Sequence, residues 1–236
     1  VSLTVVAVIV AIMLPSIASV RELSRRVVCA SNARQHGLAL MMYADDYRGA
    51  LPDSQFVRKL GSDPNTSAIS MVHMTLIVRF AGLDDWDGLG RLYASDYLNS
   101  PQVFYCPSHT GENPFGRFAG AWSSDRGQIV TNYQYRGDHA PAPADGPSPM
   151  VVLLADGLRT QSDFNHVVGA NLLRADTSVQ WFADPGRDLA RSLPLSAEEV
   201  DAGSRVDQAW QELDQFVATG GKVDPGKTAG ADRPRE

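Results

Sequence analysis

The sequence predicts an α+β fold: a long N-terminal helix, an antiparallel β-sheet after it, and an additional helix near the C-terminal end. Three observations carry this. Residues 2–46 keep helical spacing without a turn signal. Between residues 129 and 182 short β-type runs are separated by Gly, Pro and Asp clusters. A capping-box spelling, Ser196-Ala197-Glu198-Glu199, opens an amphipathic stretch.

The helix begins in residues 1–20, which are uncharged and mostly apolar and run straight into Arg21-Glu22-Leu23-Ser24-Arg25-Arg26. Twenty helical residues reach about 30 Å, roughly a bilayer core, so this segment is expected to span a membrane. A signal peptide wants a basic region before its apolar stretch, and none precedes this one, although Ser16-Ile17-Ala18 resembles a cleavage site. A buried soluble helix is the plainer alternative. The arginines on the C-terminal side would by themselves hold that side in the cytoplasm. Leu23, Val27, Cys29 or Ala30, Ala33, Leu38, Met41 and Met42 then recur at three-to-four spacing, continuing the helix as an amphipathic one. Pro15 should kink it gently. Gly37 weakens it by about 1 kcal/mol relative to Ala without ending it. The stop is expected at Asp45-Asp46-Tyr47-Arg48-Gly49 and Pro52.

Residues 53–67 read as loop, and 70–81 as a buried helix or strand that periodicity does not resolve. Residues 88–99 suggest a helical turn. Val103-Phe104-Tyr105 reads as a short strand ending at Cys106-Pro107. Further strands are expected at 129–135, 150–155, 170–175 and 178–182, the last two joined as a hairpin at Asp176-Thr177. The C-terminal helix should run to about residue 218 with Val200, Val206, Trp210, Leu213 and Val217 as its apolar stripe. The division is therefore 1–20 membrane part, 21–183 folded domain, 184–218 extra helical segment, and 219–236 a disordered tail rich in Gly, Pro and charge.

The chain has 236 residues, 20% charged and 8% aromatic, enough for one good core. A net charge of -6 argues against nucleic acid as a partner. The two cysteines, Cys29 and Cys106, include no CxxC, which excludes a zinc ribbon. Outside the cytoplasm one bridge between them would contribute about 4 kcal/mol by loop-entropy reasoning; two unrelated buried thiols are the other outcome.

Several segments together resemble a known family. They are Ala11-Ile12-Met13-Leu14-Pro15, Arg21-Glu22, Arg25-Arg26, Cys29, Asn32, Arg34-Gln35, Gly37-Leu38-Ala39-Leu40, Tyr43-Ala44-Asp45-Asp46, Gly49 and Leu51-Pro52. Tyr97-Leu98, Val103-Phe104-Tyr105-Cys106-Pro107-Ser108 and Asn132-Tyr133-Gln134-Tyr135-Arg136 follow. The series closes on His166, Gly169 and Asn171 with Asp176 at the H-x9-D spacing. Over roughly residues 1–183 the chain resembles type II secretion pseudopilin-like proteins with a prepilin-type N-terminal helix and a C-terminal H-x9-D-G motif, the DUF1559-like group common in planctomycetes. The resemblance implies a type IV pilin-like fold and a subunit anchored in the bacterial inner membrane by a single pass, its folded domain in the periplasm. It also implies partners that are other pseudopilins or copies of itself, met through the N-terminal helix. Aligned on Pro15, the family's basic leader, cleavage-point glycine and following glutamate fall before Val1; a late start, a fragment or an unprocessed protein would each explain this. Such a leader would also settle the orientation. Thr177 stands where the family has glycine, so the hairpin turn is expected to be wider or of another type, sparing Thr177 a strained backbone.

No catalytic residues are expected. His166 with Asp156, Asp176 and Asn171 is the one constellation that tempts a metal or catalytic reading, and local hydrogen bonds that fix the hairpin explain it better. No metal site or cofactor is assigned; calcium is the ion that Asp45-Asp46 with Asp53, or Asp84-Asp85-Trp86-Asp87-Gly88, would suit, and a solvated acidic loop is the simpler account. His36, His73, His109 and His139 occur singly. Neither a G-x-S-x-G elbow nor a P-loop spelling occurs. The expected function is a membrane-anchored structural subunit of a type II secretion or type IV pilus-like assembly. A tethered binding or surface protein that never polymerises is the first alternative, favoured by the extra helix; an extracytoplasmic enzyme using His166 and Asp176 is the second.

Overall fold

The computed structural model describes residues 2–54, 76–80, 85–124, 126–136 and 151–221, with the backbone alone for residues 2–16 and 18. In chain order the elements are α1 (Ser2–Asp46), β1 (Ile77–Arg79), α2 (Gly90–Ala94), a 3-10 turn (Pro101–Phe104), α3 (Phe115–Trp122) and β2 (Ile129–Val130). There follow β3 (Tyr133–Tyr135), β4 (Val152–Asp156), β5 (Gly169–Arg174), β6 (Val179–Ala183), α4 (Asp188–Ser192) and α5 (Ala202–Ala218). The α+β layout with a long N-terminal helix, antiparallel sheets and a C-terminal helix is the one the sequence predicts.

Helix α1 is continuous over 45 residues and passes through Pro15. It ends where expected: Arg48 and Gly49 turn left-handed, and the Gly49 amide donates to the Ala44 carbonyl at 2.7 Å. Its buried face is Cys29, Asn32, Ala33, His36, Gly37, Ala39, Leu40 and Tyr43, which recur at three-to-four spacing. That face is small and polar for much of its length. The larger apolar residues of the sequence pattern, Leu23, Val27, Leu38, Met41 and Met42, are exposed, as are Ile17 and Val20. Among the described residues no helix is long and apolar enough to cross a membrane. The expected span at 1–20 lies, for residues 1–16 and 18, outside the described side chains.

Gly37 is where the hairpin meets the helix most closely. A β-carbon there would stand 2.8 Å from Leu173 Cδ1 and 3.4 Å from Thr177 Cβ. The glycine that weakens the helix locally is thus what admits the sheet to it.

The main sheet is antiparallel in the order β3-β4-β5-β6, and β1 pairs with β2 in a separate two-stranded sheet. Strand β5 alternates across the main sheet. Leu173 joins the cluster that contains Ala33, Leu40 and Tyr43 of α1, while Ala170 and Leu172 join Val206, Trp210, Leu213 and Phe216 of α5. The sheet is therefore covered on both faces, which is why every residue of β4 is buried. Each large side chain that α5 lays on it contributes about 1.5–3 kcal/mol relative to exposure. Asp214 of α5 fixes the seat: it accepts from the Val152 amide at 2.9 Å and pairs with Arg136 at 2.6 Å.

Several expectations need correction. Val103-Phe104-Tyr105 is not a strand: Pro101 at the first position starts a 3-10 turn. The run 129–135 breaks at Thr131-Asn132 into β2 and β3, which lie in different sheets. The helix expected from Ser196 starts only at Ala202, and Val200 is exposed rather than part of its stripe. Glu199 still accepts from the amides of Leu195 and Ser196, at 2.7 and 3.0 Å, so the capping-box residues close a separate turn. Of residues 70–81 the described part holds β1. The expected loop from 55 to 67 and the tail from 222 lie outside the described residues.

The β5–β6 turn is wider than two residues: Arg174 and Ser178 pair around Ala175-Asp176-Thr177. Thr177 is nevertheless not spared, for its φ is +65°. A three-residue hairpin loop needs a left-handed residue in its last position, and a β-branched one is strained there by about 1–2 kcal/mol.

Candidate functional site

The polar face of α1 meets the sheet at a cluster that four separate segments build. Cys29 comes from α1, Cys106 from the segment after the 3-10 turn, Asp156 from the end of β4 and His166 from the segment before β5. One ligand-type atom from each lies within 4.8 Å of all the others, and all four side chains are buried. Cys29 Sγ donates to Asp156 Oδ2 at 3.0 Å and lies 3.1 Å from the Tyr133 hydroxyl. Cys106 Sγ is 3.5 Å from His166 Nε2, which is 3.3 Å from Asp156 Oδ2. Both cysteines are buried free thiols in this structure, and their Sγ atoms lie within 4.8 Å of each other.

A second ring of contacts holds these groups. His166 Nδ1 donates to Glu22 Oε1 of α1 at 2.6 Å, and Glu22 Oε2 accepts from Ser108 at 2.9 Å. Asp156 Oδ1 accepts the Asn171 amide and Oδ2 the Asn171 side chain, both at 2.8 Å. The Cys106 amide donates to Asn132 Oδ1 at 2.6 Å, and the Asn32 side chain of α1 donates to the Tyr105 carbonyl at 3.2 Å. Trp181 stands edge-on to His166 at 5.5 Å, with the Arg26 guanidinium 3.4 Å above its indole. Gly169 makes room for that arrangement: a β-carbon there would lie 2.4 Å from the Trp181 ring.

Charge follows from this geometry. Burial opposes protonation of His166, but the hydrogen bond and charge of Asp156, with Cys106, outweigh it and push the imidazole up to about 11. Burial raises the Cys29 thiol well above its ordinary value, helped by its contacts with Cys106 and Asp156. Burial also resists ionisation of Cys106, yet hydrogen bonds from Cys29 and His166 prevail and lower it.

The sequence motif is thus split. His166, Asn171 and Asp156 meet at the cluster, with Gly169 beside it. Asp176 does not join them: it sits at the exposed hairpin turn, accepting from the Ser178 amide at 3.0 Å and its hydroxyl at 2.5 Å and pairing with Arg174 at 3.3 Å. Cys29, Cys106 and Glu22 are the members that sequence reasoning did not attach to His166.

Three of the acidic residues considered for calcium bond to protein groups. Asp46 accepts from the Tyr97 hydroxyl, Asp53 pairs with Arg91 at 3.5 Å, and Asp87 accepts from Ser54 at 2.6 Å. Asp84 lies outside the described residues. His36 packs edge-on to Phe104 at 4.9 Å, a core residue. His109 donates to Asn165 Oδ1 at 2.6 Å and accepts from the Asn113 amide at 3.2 Å, ordering the segment that carries Cys106. His73 and His139 lie outside the described residues.

Comparison with known proteins adds one match. The model of a family described as Protein of unknown function (DUF1559), SBP_bac_10, matches residues 18–163, more than half of the chain. Glu22, Cys29, Cys106 and Asp156 fall inside the match and His166 just beyond it. No curated protein and no solved structure matches.

Proposed function

The chain belongs to the DUF1559 family, and from that premise we propose that it is a membrane-anchored, pseudopilin-like structural subunit of a type II secretion or type IV pilus-like assembly. The apolar start of α1 lies in the inner membrane and the head lies in the periplasm. Copies, or related subunits, pack through the outward face of α1. The role is structural and not enzymatic.

One observation carries the reading. Helix α1 is continuous from Ser2 to Asp46, and among its described side chains the first buried one is Cys29. Before that point Glu22 and Arg26 touch the head, while Ile17, Val20, Leu23, Val27 and Val28 are exposed on the sides of the helix turned away from it. Apolar side chains left out on such a stem need lipid or another helix to cover them. The extra helix α5, which on sequence alone favours a binding role, lays its apolar stripe on the sheet. The thiol and imidazole of Cys106 and His166 are buried within the head, which supports a role inside the fold.

Site-directed cross-linking tests the packing. Cysteines placed at Leu23 or Val27 in the full chain, in its own envelope, are expected to give cross-linked pairs and higher adducts, whereas one at exposed Val200 is not. Stem positions that give no adduct in the membrane would leave a tethered monomer in its place.

A further inference from the structure

We propose that Cys29, Cys106, Asp156 and His166 form a closed four-ligand zinc site that pins the stem helix to the head. The donor set is two thiolates, one imidazole nitrogen and one carboxylate oxygen, a combination that suits zinc, with no place left for water. Tetrahedral bonds of about 2.3 Å to sulfur and about 2.0–2.1 Å to nitrogen or oxygen give edges of about 3.3 Å for nitrogen–oxygen and about 3.5 Å where one atom is sulfur. His166 Nε2 to Asp156 Oδ2 is 3.3 Å, and Cys106 Sγ to His166 Nε2 is 3.5 Å. The Cys29–Asp156 edge, at 3.0 Å, has to open by about half an ångström to match.

The outer contacts fit a metal ligand shell as well. His166 presents Nε2 to the centre and gives its Nδ1 proton to Glu22, the carboxylate–histidine arrangement that fixes ring orientation and raises ligand basicity. Glu22 is itself held by Ser108, and Asp156 by both donors of Asn171. The ligands are far apart in sequence and on separate segments, so the ion would join α1, the Cys106 segment, β4 and the entry to β5 at one point. Glu22 belongs to α1 too, so the stem contributes to both shells.

The test uses the full chain in detergent, stripped of metal, with both thiols counted free, and titrated with zinc against a chromophoric chelator. One zinc per chain is expected. Glu22→Gln, a positioning residue, should weaken binding by about 10–100-fold, and Cys29→Ser or Cys106→Ser by more. X-ray absorption of the zinc-loaded wild-type chain requires no variant to fold. It should show two sulfurs at about 2.3 Å and two lighter atoms at about 2.0–2.1 Å. No uptake by the reduced chain, uptake unchanged in Cys29→Ser, or a shell without sulfur would each overturn the proposal. So would a chain isolated metal-free with Cys29 and Cys106 bonded to each other.

Discussion

His166 and Glu22 are 144 residues apart in sequence, yet Nδ1 of the one lies 2.6 Å from Oε1 of the other. The contact ties the entry to the β5–β6 hairpin to the stem helix, seven residues before the first fully buried ligand of that helix, Cys29.

His166→Ala is expected to destabilise the chain by about 3–5 kcal/mol, because it leaves the buried Asp156 carboxyl without its cationic partner. Urea unfolding in the presence of chelator measures this. An unchanged midpoint would contradict a hairpin-fixing role and return His166 to the enzyme alternative.

Thr177→Gly should stabilise the chain by about 1 kcal/mol, since the left-handed backbone at that position disfavours a β-branched residue. A rise in melting temperature with unchanged unfolding cooperativity is the expected result. No rise would mean that contacts of Thr177 with α1 offset the strain.

Gly37→Leu should lower stability by about 1–3 kcal/mol, although glycine is the poorer helix former, because its side chain must enter the space held by Leu173 and Thr177. Chemical denaturation compared with the exposed control Leu38→Ala separates crowding from helix propensity.

His36 makes stability depend on pH. It is wholly buried, with Nδ1 donating to the Asn32 carbonyl at 3.0 Å and Nε2 without a partner. Burial depresses its pKa from 6.5 to about 4. The unfolded chain therefore takes up the proton first. Stability from this residue is full above 6.5 and is lost as pH falls through the window down to about 4. The loss is roughly 3 kcal/mol. The difference between the unfolding midpoints of the wild type and His36→Gln, followed from pH 7 to 4, should shrink accordingly; a flat difference contradicts it.

The parts of the fold legible in the sequence are those that local spacing dictates. The helix over 2–46, its stop at Arg48-Gly49 and the β5–β6 hairpin follow from periodicity and turn residues. Val103-Phe104-Tyr105 was misleading because β-type side chains there pack from a 3-10 turn that Pro101 begins. The inward face of α1 was obscured for a related reason. It settles on a polar cluster and on a sheet that needs a glycine for access, so its largest apolar residues point outward. His166, Asn171 and Asp156 were visible as a constellation, and so was the family. Cys29, Cys106 and Glu22 could not be joined to them, since no short spacing links residues that meet only when stem, turn and sheet assemble. Asp176 shares a motif spacing with His166 but belongs to the turn.

The central claim is that α1 is a stem rooted in lipid and continuous with the rod that carries the head. Partition of the full chain after alkaline washing of membranes tests it most directly. The account predicts that the chain stays with the membrane until detergent is added, and that Val10→Arg, a charge at the middle of the apolar run costing about 2.5–3.5 kcal/mol, weakens that retention. Recovery of the intact chain in the wash without detergent would contradict it.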